Sequence, residues 1–413
     1  FSNFIPIEPE NKFDAKAQSF FSTFAIGVAT NRDPWVYNFS KDIVIKNMKT
    51  MIGFYNEQRL EFQTIKQSKE DAAVIDYVDA NPSKISWTRS LRNAVEKNIT
   101  HTFDEKELRV GLYRPFTKQF LYYDRPFIES PGLWSQLFPN SEIGNTVICL
   151  SCVGTNNTLS ALICETIPDL HFIGDTQCFP LYWYEKKPHA QNNLFKKAED
   201  EYVRRDGVSD FILDQAQVRY GDRVTKEDIF YYVYGILHSF DYRKTFANDL
   251  KKMLPRLPLV EKPADFWAFS KAGRGLAELH LNYECQKKPD EVTISGAEHK
   301  DFTVTKMTFP AKGQKEIILY NHHITISNIP AKAYEYIVNG KSAIEWLMER
   351  YAVTTHKESG IKNNPNDWAI EHNNPRYILD LLLSVIAVSV KTMDIVNSLP
   401  KAEQTVVCQL PRA

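Results

Sequence analysis

GDRVTKEDIFYYVYGILHSFDYRKTFANDLKKMLPRLPLVEKPADFWAFSKAGRGLAELHLNY, residues 221–283, reads as three consecutive helices with clear punctuation. Thr225 is placed to cap the first helix, with Asp228 completing a box-like pair. Ile229, Tyr232, Val233, Ile236 and Leu237 then share one helical face. Ser239 or Asp241 caps a second helix on which Tyr242, Phe246, Leu250 and Leu254 recur every four residues. Pro255 ends it, because proline lacks the amide the next turn needs. Arg256-Leu257-Pro258 reads as a stiff connector. Pro263 suits the first turn of a third helix that carries Phe266, Phe269, Gly273, Leu276 and His280 on one face. Such a bundle is scaffold chemistry, and the remaining chain is expected to hang on it.

At 413 residues the chain is long enough for two or three cores, and 43% hydrophobic content supports buried interiors. Fifty Lys and Arg against 51 Asp and Glu give a net charge of -1, so any nucleic-acid role must come from a local basic surface. The longest apolar run, Ile378 to Val390, contains Asp380 and falls short of the roughly 20 residues that span a bilayer. A buried helix is expected there, with no membrane partner. Six cysteines without framework spacing fit a reducing cytoplasm better than a disulfide scaffold. The opening FSNFIP lacks an initiator methionine, so the chain is expected to continue a longer polypeptide.

Toward the N-terminus, the polar loop from Gly27 to Pro34 presents Asn31 and Arg32, and Ser40 caps a helix carrying Ile43, Met48, Ile52 and Tyr55. A charged linker at 66–83 leads to a helix with Trp87, Leu91 and Val95. From Val110 to Phe127, VGLYRPFTKQFLYYDRPF, aromatics and prolines predict hairpin strands. Strands are also expected at Thr146–Leu150 and Leu170–Ile173, and a charged stretch at 185–207 separates this part from the bundle. Beyond the bundle, strands are predicted over Phe302–Phe309, Ile317–Tyr320 and Ile324–Ile326, then helices over Ala331–Val338, Ser342–Tyr351 and Tyr377 to about Leu399. A polar loop, THKESGIKNNPND, covers 355–367. The fold class is therefore α+β: a mixed, β-rich core with a central helical bundle and a helical C-terminal segment. The expected boundaries are 1–109, 110–220, 221–283 and 284–413.

Several constellations carry chemistry only weakly. Asp169 after Pro168, with Glu185 and Lys187, imitates the carboxylate-carboxylate-lysine set of metal-dependent nucleases. Loosely spaced charges arise often by chance, and a strand flanked by solvated charges is the better account. Asp33-Pro34-Trp35 and Asn374-Pro375-Arg376-Tyr377 echo the base-holding motif of amino-methyltransferases, but both lack its second proline and no glycine-rich cofactor turn precedes them. No phosphate loop is present. Cys149 and Cys152 have zinc-knuckle spacing, with Cys164 and Cys178 available to complete four thiolates; buried, unligated thiols are expected instead. His322-His323 beside a strand should point to opposite faces and not share a metal. No catalytic residue and no metal ligand set is expected.

Residues suited to DNA are clearer. Arg114, Lys118 and Arg125, interleaved with aromatics, fit a nucleic-acid face and fit equally a core hairpin with its cations outward. Arg32, Asn156, Asn157, Lys357, Lys362, Asn363 and Asn364 lie in polar loops from which amides and cations can reach phosphates or base edges, while a solvated surface loop is the more ordinary account of the loop lysines and asparagines taken singly. Arg243, Lys244, Lys251 and Lys252 are expected on the solvated face of the second bundle helix.

Long strings add a resemblance. GVATNRDPWVYNFS (27–40), YRPFTKQFLYYDRPF (113–127), PDLHFIGDTQCFPLYWYE (168–185), YYVYGILHSFDYRKTFANDLKKMLPRLPL (231–259), FWAFSKAGRGLAELHLNYE (266–284) and NHHITISNIPAKAYEYIVNGKSAIEWLMERY (321–351) resemble the C-terminal part of type ISP restriction-modification enzymes. The resemblance implies a non-catalytic target recognition domain that binds double-stranded DNA. Upstream, in the same prokaryotic, cytoplasmic polypeptide, it implies a nuclease, an ATP-driven translocase and an adenine N6-methyltransferase. Residues 1–109 would then connect to the methyltransferase. ATP, Mg2+ and S-adenosylmethionine would belong to those upstream domains, with no cofactor in this chain. A metal-dependent nuclease domain, or a coupling domain that does not touch DNA, are the rival readings.

Overall fold

The structure, a computed structural model, describes residues 1–130, 132–140, 142–151, 158–187 and 201–401. Two of the three bundle helices form as the sequence predicts. Thr225 and Asp228 close a reciprocal capping box on the helix Lys226–Leu237, and Pro263 opens the helix Pro263–Leu281. These helices cross backbone to backbone. A Cβ on Gly273 would stand 1.8 Å from the Tyr231 carbonyl oxygen, and one on Gly235 would stand 2.2 Å from that of Phe269. Only glycine fits both positions, so the crossing is set by two missing side chains.

The predicted middle helix is broken. Ser239 caps Phe240–Thr245, the chain leaves helical geometry at Phe246, and a short turn Ala247–Leu250 follows, so Leu254 lies outside it. Arg243 turns back from solvent and donates to the Leu237 carbonyl at 2.5 Å, satisfying an orphan acceptor at the preceding helix end. Lys244, Lys251 and Lys252 stay exposed, as expected. Arg256–Leu257 is a strand rather than a connector and pairs antiparallel with Ser2–Asn3.

A four-stranded antiparallel sheet, in the order Ala25–Ile26, Gln177–Pro180, Val147–Leu150, Ala161–Cys164, divides two cores. Successive strand residues face opposite ways. Ile148, Leu150, Ala161, Ile163 and Phe179 face the bundle core, which Phe230, Val233, Phe266 and Phe269 complete. Val147, Cys149, Leu162, Cys164 and Cys178 face the larger core, built with the helices Lys41–Ser68, Ala343–Arg350 and Tyr377–Asn397. Cys149 Sγ sits 3.5 Å from Cys164 and 3.7 Å from Cys178. Burial pushes all three thiols up, so they stay protonated core residues. Cys152 lies outside the described residues.

A second sheet runs Tyr37–Asn38, Thr117–Tyr122, Leu108–Arg114, Ile167–Pro168, the last strand parallel. His280 ties three helices together: Nδ1 meets the Tyr234 hydroxyl at 2.6 Å and Nε2 the Thr392 hydroxyl at 2.9 Å, and burial pulls its pKa down to about 3. The chain is thus α+β, with no described helix long and apolar enough to cross a membrane.

Other local expectations are corrected. Residues 170–173 form turns, not a strand, because the Asp169 carboxylate accepts the His171 amide at 2.8 Å and Gly174 and Asp175 take positive φ. The charged separator contributes to an antiparallel pair of strands, Tyr182–Lys186 against Tyr202–Asp206. Within 302–309 only Thr308 makes a bridge, since Asp301 and Asn366 capture the local amides instead. Ala331–Tyr334 is a single 3-10 turn, followed by a hairpin strand at Ile337–Val338 whose turn uses the positive φ of Asn339 and Gly340. The polar loop at 355–367 forms a hairpin, Thr354–Thr355 with Lys362–Asn363, and then the helix Pro365–Glu371 capped by Asn364.

Candidate nucleic-acid interface

Four sequence-distant segments, with Tyr113, meet around an open cleft of about 480 Å³: the loop 29–35, the 82–86 segment, the Asp169–His171 turn and the tip of the 354–363 hairpin. A neighbouring hollow of about 330 Å³ continues along the same hairpin and shares Asp33, Tyr113 and His356. The first loop is pinned from below. Val28 donates to the Pro168 carbonyl at 2.9 Å and accepts from Leu170 at 2.8 Å. At Gly27 a Cβ would lie 2.5 Å from the Asp169 carbonyl oxygen, so the close approach demands glycine. Asn31 takes positive φ, which asparagine tolerates, and is exposed at the rim.

Charge at the floor is arranged in alternating signs. Arg114 Nη1 donates to Asp169 Oδ1 at 2.5 Å, Arg114 Nη2 stands 3.9 Å from Asp33 Oδ2, and the guanidinium lies 4.0 Å from its neighbour's ring at Tyr113. Asp169 is nonetheless raised to about 7. Burial is the largest cause and the Asp33 charge the next, and together they outweigh Arg114. Arg32 is buried, donates from Nη2 to Thr88 at 2.7 Å and leaves Nε and Nη1 without a protein partner; burial pulls it down to about 10. Its guanidinium faces the Phe127 ring at 5.8 Å.

The expected DNA residues divide accordingly. Lys357 and Lys362 are exposed on the hairpin, where Gly360, at φ 70°, closes the turn and His356 Nδ1 meets the Ser359 hydroxyl at 2.9 Å. Arg125 is also exposed. Arg32 sits in the wall of the cleft, and Arg114 lies beneath it, holding Asp169 and Asp33 of its lining. Lys118 pairs with Glu284 across the molecule. Asn363 accepts the Phe39 amide at 3.0 Å, and Asn364 caps the following helix, so both amides serve the fold. Asn156 and Asn157 lie outside the described residues. Between the open readings of the Arg114–Arg125 hairpin, the structure places Tyr122 and Phe127 inside and only Arg125 fully outward.

The nuclease-like set is not assembled: Asp169 holds Arg114, whereas Glu185 lies on the strand Tyr182–Lys186 and pairs with Arg205 at 3.3 Å. His356, Glu358 and His171 also line the cleft. No local pattern in the sequence marks them, since the turn at 171 and the hairpin at 356 meet only through the fold.

The Type ISP C-terminal specificity domain family matches residues 19–381 of the chain. Three solved structures are similar over nearly its whole length. A nuclease-deletion mutant of the Type ISP restriction-modification enzyme LlaGI, in complex with a DNA substrate mimic, is 38% identical with a TM-score of 0.82, covering 97% of this chain and 34% of that one. The ATP-dependent Type ISP restriction-modification enzyme LlaBIII bound to DNA is 36% identical with a TM-score of 0.81, covering 94% and 24%. A DrdV–DNA complex is 25% identical with a TM-score of 0.79, covering 96% and 38%. The chain thus spans between about a quarter and two fifths of the length of these proteins. No curated protein matches it.

Proposed function

The chain belongs to the Type ISP C-terminal specificity domain family, and from that premise we propose that it is a sequence-specific recognition module for duplex DNA. The observation that carries this reading is the likeness over 97% of the chain to a relative solved on a DNA substrate mimic. The exposed cations Lys357, Lys362 and Arg125 and the rim residue Asn31 suit this role, because cations fix register on phosphates and amides read base edges. Arg32 and Arg114 brace the cleft from within.

In this reading the chain performs no chemistry of its own. Nuclease, ATP-driven translocase and adenine N6-methyltransferase activities, with their Mg2+, ATP and S-adenosylmethionine, reside in other domains of the same polypeptide, in a prokaryotic cytoplasm. Selection from a randomised duplex library by the 413-residue chain tests the proposal. Enrichment of one asymmetric site, bound with an affinity that falls steeply as salt rises, is the expected result. Absence of any enriched site, or binding indifferent to salt, would overturn it.

A further inference from the structure

Among the described residues one group of three side chains presents metal-ligating atoms within 4.8 Å of one another: Asp301, His322 and His323. The expectation that the histidines diverge fails because they lie in the tight turn between the strands Ile318–Leu319 and Thr325–Ser327, where strand alternation does not apply. Their rings are 5.0 Å apart and inclined at 57°.

The turn is held from several sides. Asn321 Oδ1 accepts the amides of His323 at 2.9 Å and Ile324 at 2.7 Å, while its Nδ2 donates to the carbonyls of Asp301 and Thr303, both at 3.0 Å. One asparagine therefore fixes the histidine turn and the aspartate segment against each other. Tyr320 adds a hydroxyl bond to the Phe302 carbonyl at 2.7 Å. Gly296 packs so closely on the His323 carbonyl that a Cβ there would lie 1.8 Å away, and the His299 ring stacks on His323 at 4.7 Å. Thr303 donates its amide and hydroxyl to Asp301 Oδ1 at 3.1 and 2.6 Å, leaving Oδ2 free. Those bonds, with smaller contributions from the two imidazoles, hold the Asp301 carboxyl below the usual carboxylate range.

We propose that Asp301, His322 and His323 form a surface site for a divalent transition-metal ion, which would clamp the 301–303 segment to the 320–324 turn. Two imidazoles and one carboxylate suit Zn2+, Co2+, Ni2+ or Cu2+, whereas Mg2+ and Ca2+ prefer all-oxygen sets. Bonds of about 2.1 Å need the three ligand atoms to draw together by roughly an ångström, which rotation of the exposed histidine side chains supplies. The outward side of the site is open, so water completes the coordination. Thr303 acts as a positioning residue for the carboxylate.

The test is titration of the untagged 413-residue chain with Co2+ and with Zn2+ under reducing conditions, following cobalt absorption and thermal unfolding. One ion per chain is expected, with a nitrogen- and oxygen-type cobalt spectrum and a rise in the unfolding midpoint. His322→Gln and His323→Gln, exposed changes whose folding circular dichroism verifies, each remove a ligand and should weaken binding by more than the roughly 10-fold expected for a partner that only supports one. Thr303→Val should weaken it by about 10-fold. Absence of saturable binding, affinity unchanged in both histidine variants, or a thiolate-to-cobalt band placing the ion on cysteines would each overturn the assignment.

Discussion

Asp169 sets a contest between burial and an ion pair that a single substitution decides. Its carboxylate touches Arg114 at 2.5 Å, yet it is 1% exposed and shares its surroundings with Asp33. The balance leaves its pKa at about 7 in the folded protein against 3.8 as the ordinary value. The folded state therefore holds a proton that the unfolded chain releases at lower pH. Stability from this group is fully present below pH 3.8 and is lost as pH rises through about 7. The shift corresponds to about 4 kcal/mol across that window. Asp169→Asn keeps an oxygen to accept the His171 amide but cannot titrate. Urea unfolding of both proteins at several pH values from 4 to 8 reads the difference directly. Wild type should lose stability relative to the variant as pH rises, levelling off above neutrality. A difference that is constant, or that grows in favour of wild type with pH, would refute the reasoning. It would mean that the Arg114 pair outweighs burial and holds the carboxyl ionised.

At the helix crossing, Gly273→Ala would gain about 1 kcal/mol of helix propensity but force a methyl group into the Tyr231 carbonyl, 1.8 Å away. Overpacking against backbone costs about 1–3 kcal/mol or more, so chemical denaturation should show a net loss. Gly53→Ala, on an exposed helical position with nothing within 4 Å, should instead be stabilising by up to about 1 kcal/mol in the same assay. His280 is buried neutral, with its pKa pulled down to about 3. Its contribution is fully present above pH 6.5 and drains away by about 1.4 kcal/mol per unit as the solution is acidified from pH 6.5 toward about 3. Acid unfolding of His280→Gln should follow a correspondingly shallower profile. Replacing Lys357 and Lys362 by alanine should weaken DNA binding on all sequences alike and reduce the salt slope by about one for each phosphate that is no longer neutralised, measured by anisotropy titration.

Much of the scaffold was readable from local chemistry. The caps at Ser40 and Thr225, the proline at 263 and the apolar run beginning at Ile378 all act within a few turns of themselves, and each forms its helix in the structure. The sheet strands at 147–150 and 117–122 were equally legible from their β-branched and aromatic runs. The structure departs from the local signal where a distant partner overrides local preference. Arg256–Leu257 becomes a strand because Ser2–Asn3 supplies its ladder, and the 302–309 segment loses its strand character to Asn366. Of the DNA candidates, burial turned Arg32 and Arg114 inward and the fold claimed Asn363, none of which a side chain's type reveals.

By itself, then, the sequence determined the class of fold, the helical brace and, through long matching strings, the family; these rest on short-range periodicity and on similarity, both written in residue order. The tertiary structure decided which residues share a site. The cleft joins positions 31, 113, 169 and 356, and the histidine turn meets Asp301 through Asn321. Those meetings depend on which amides and carbonyls remain unpaired once the cores have closed. That is a property of packed surfaces rather than of any stretch of chain.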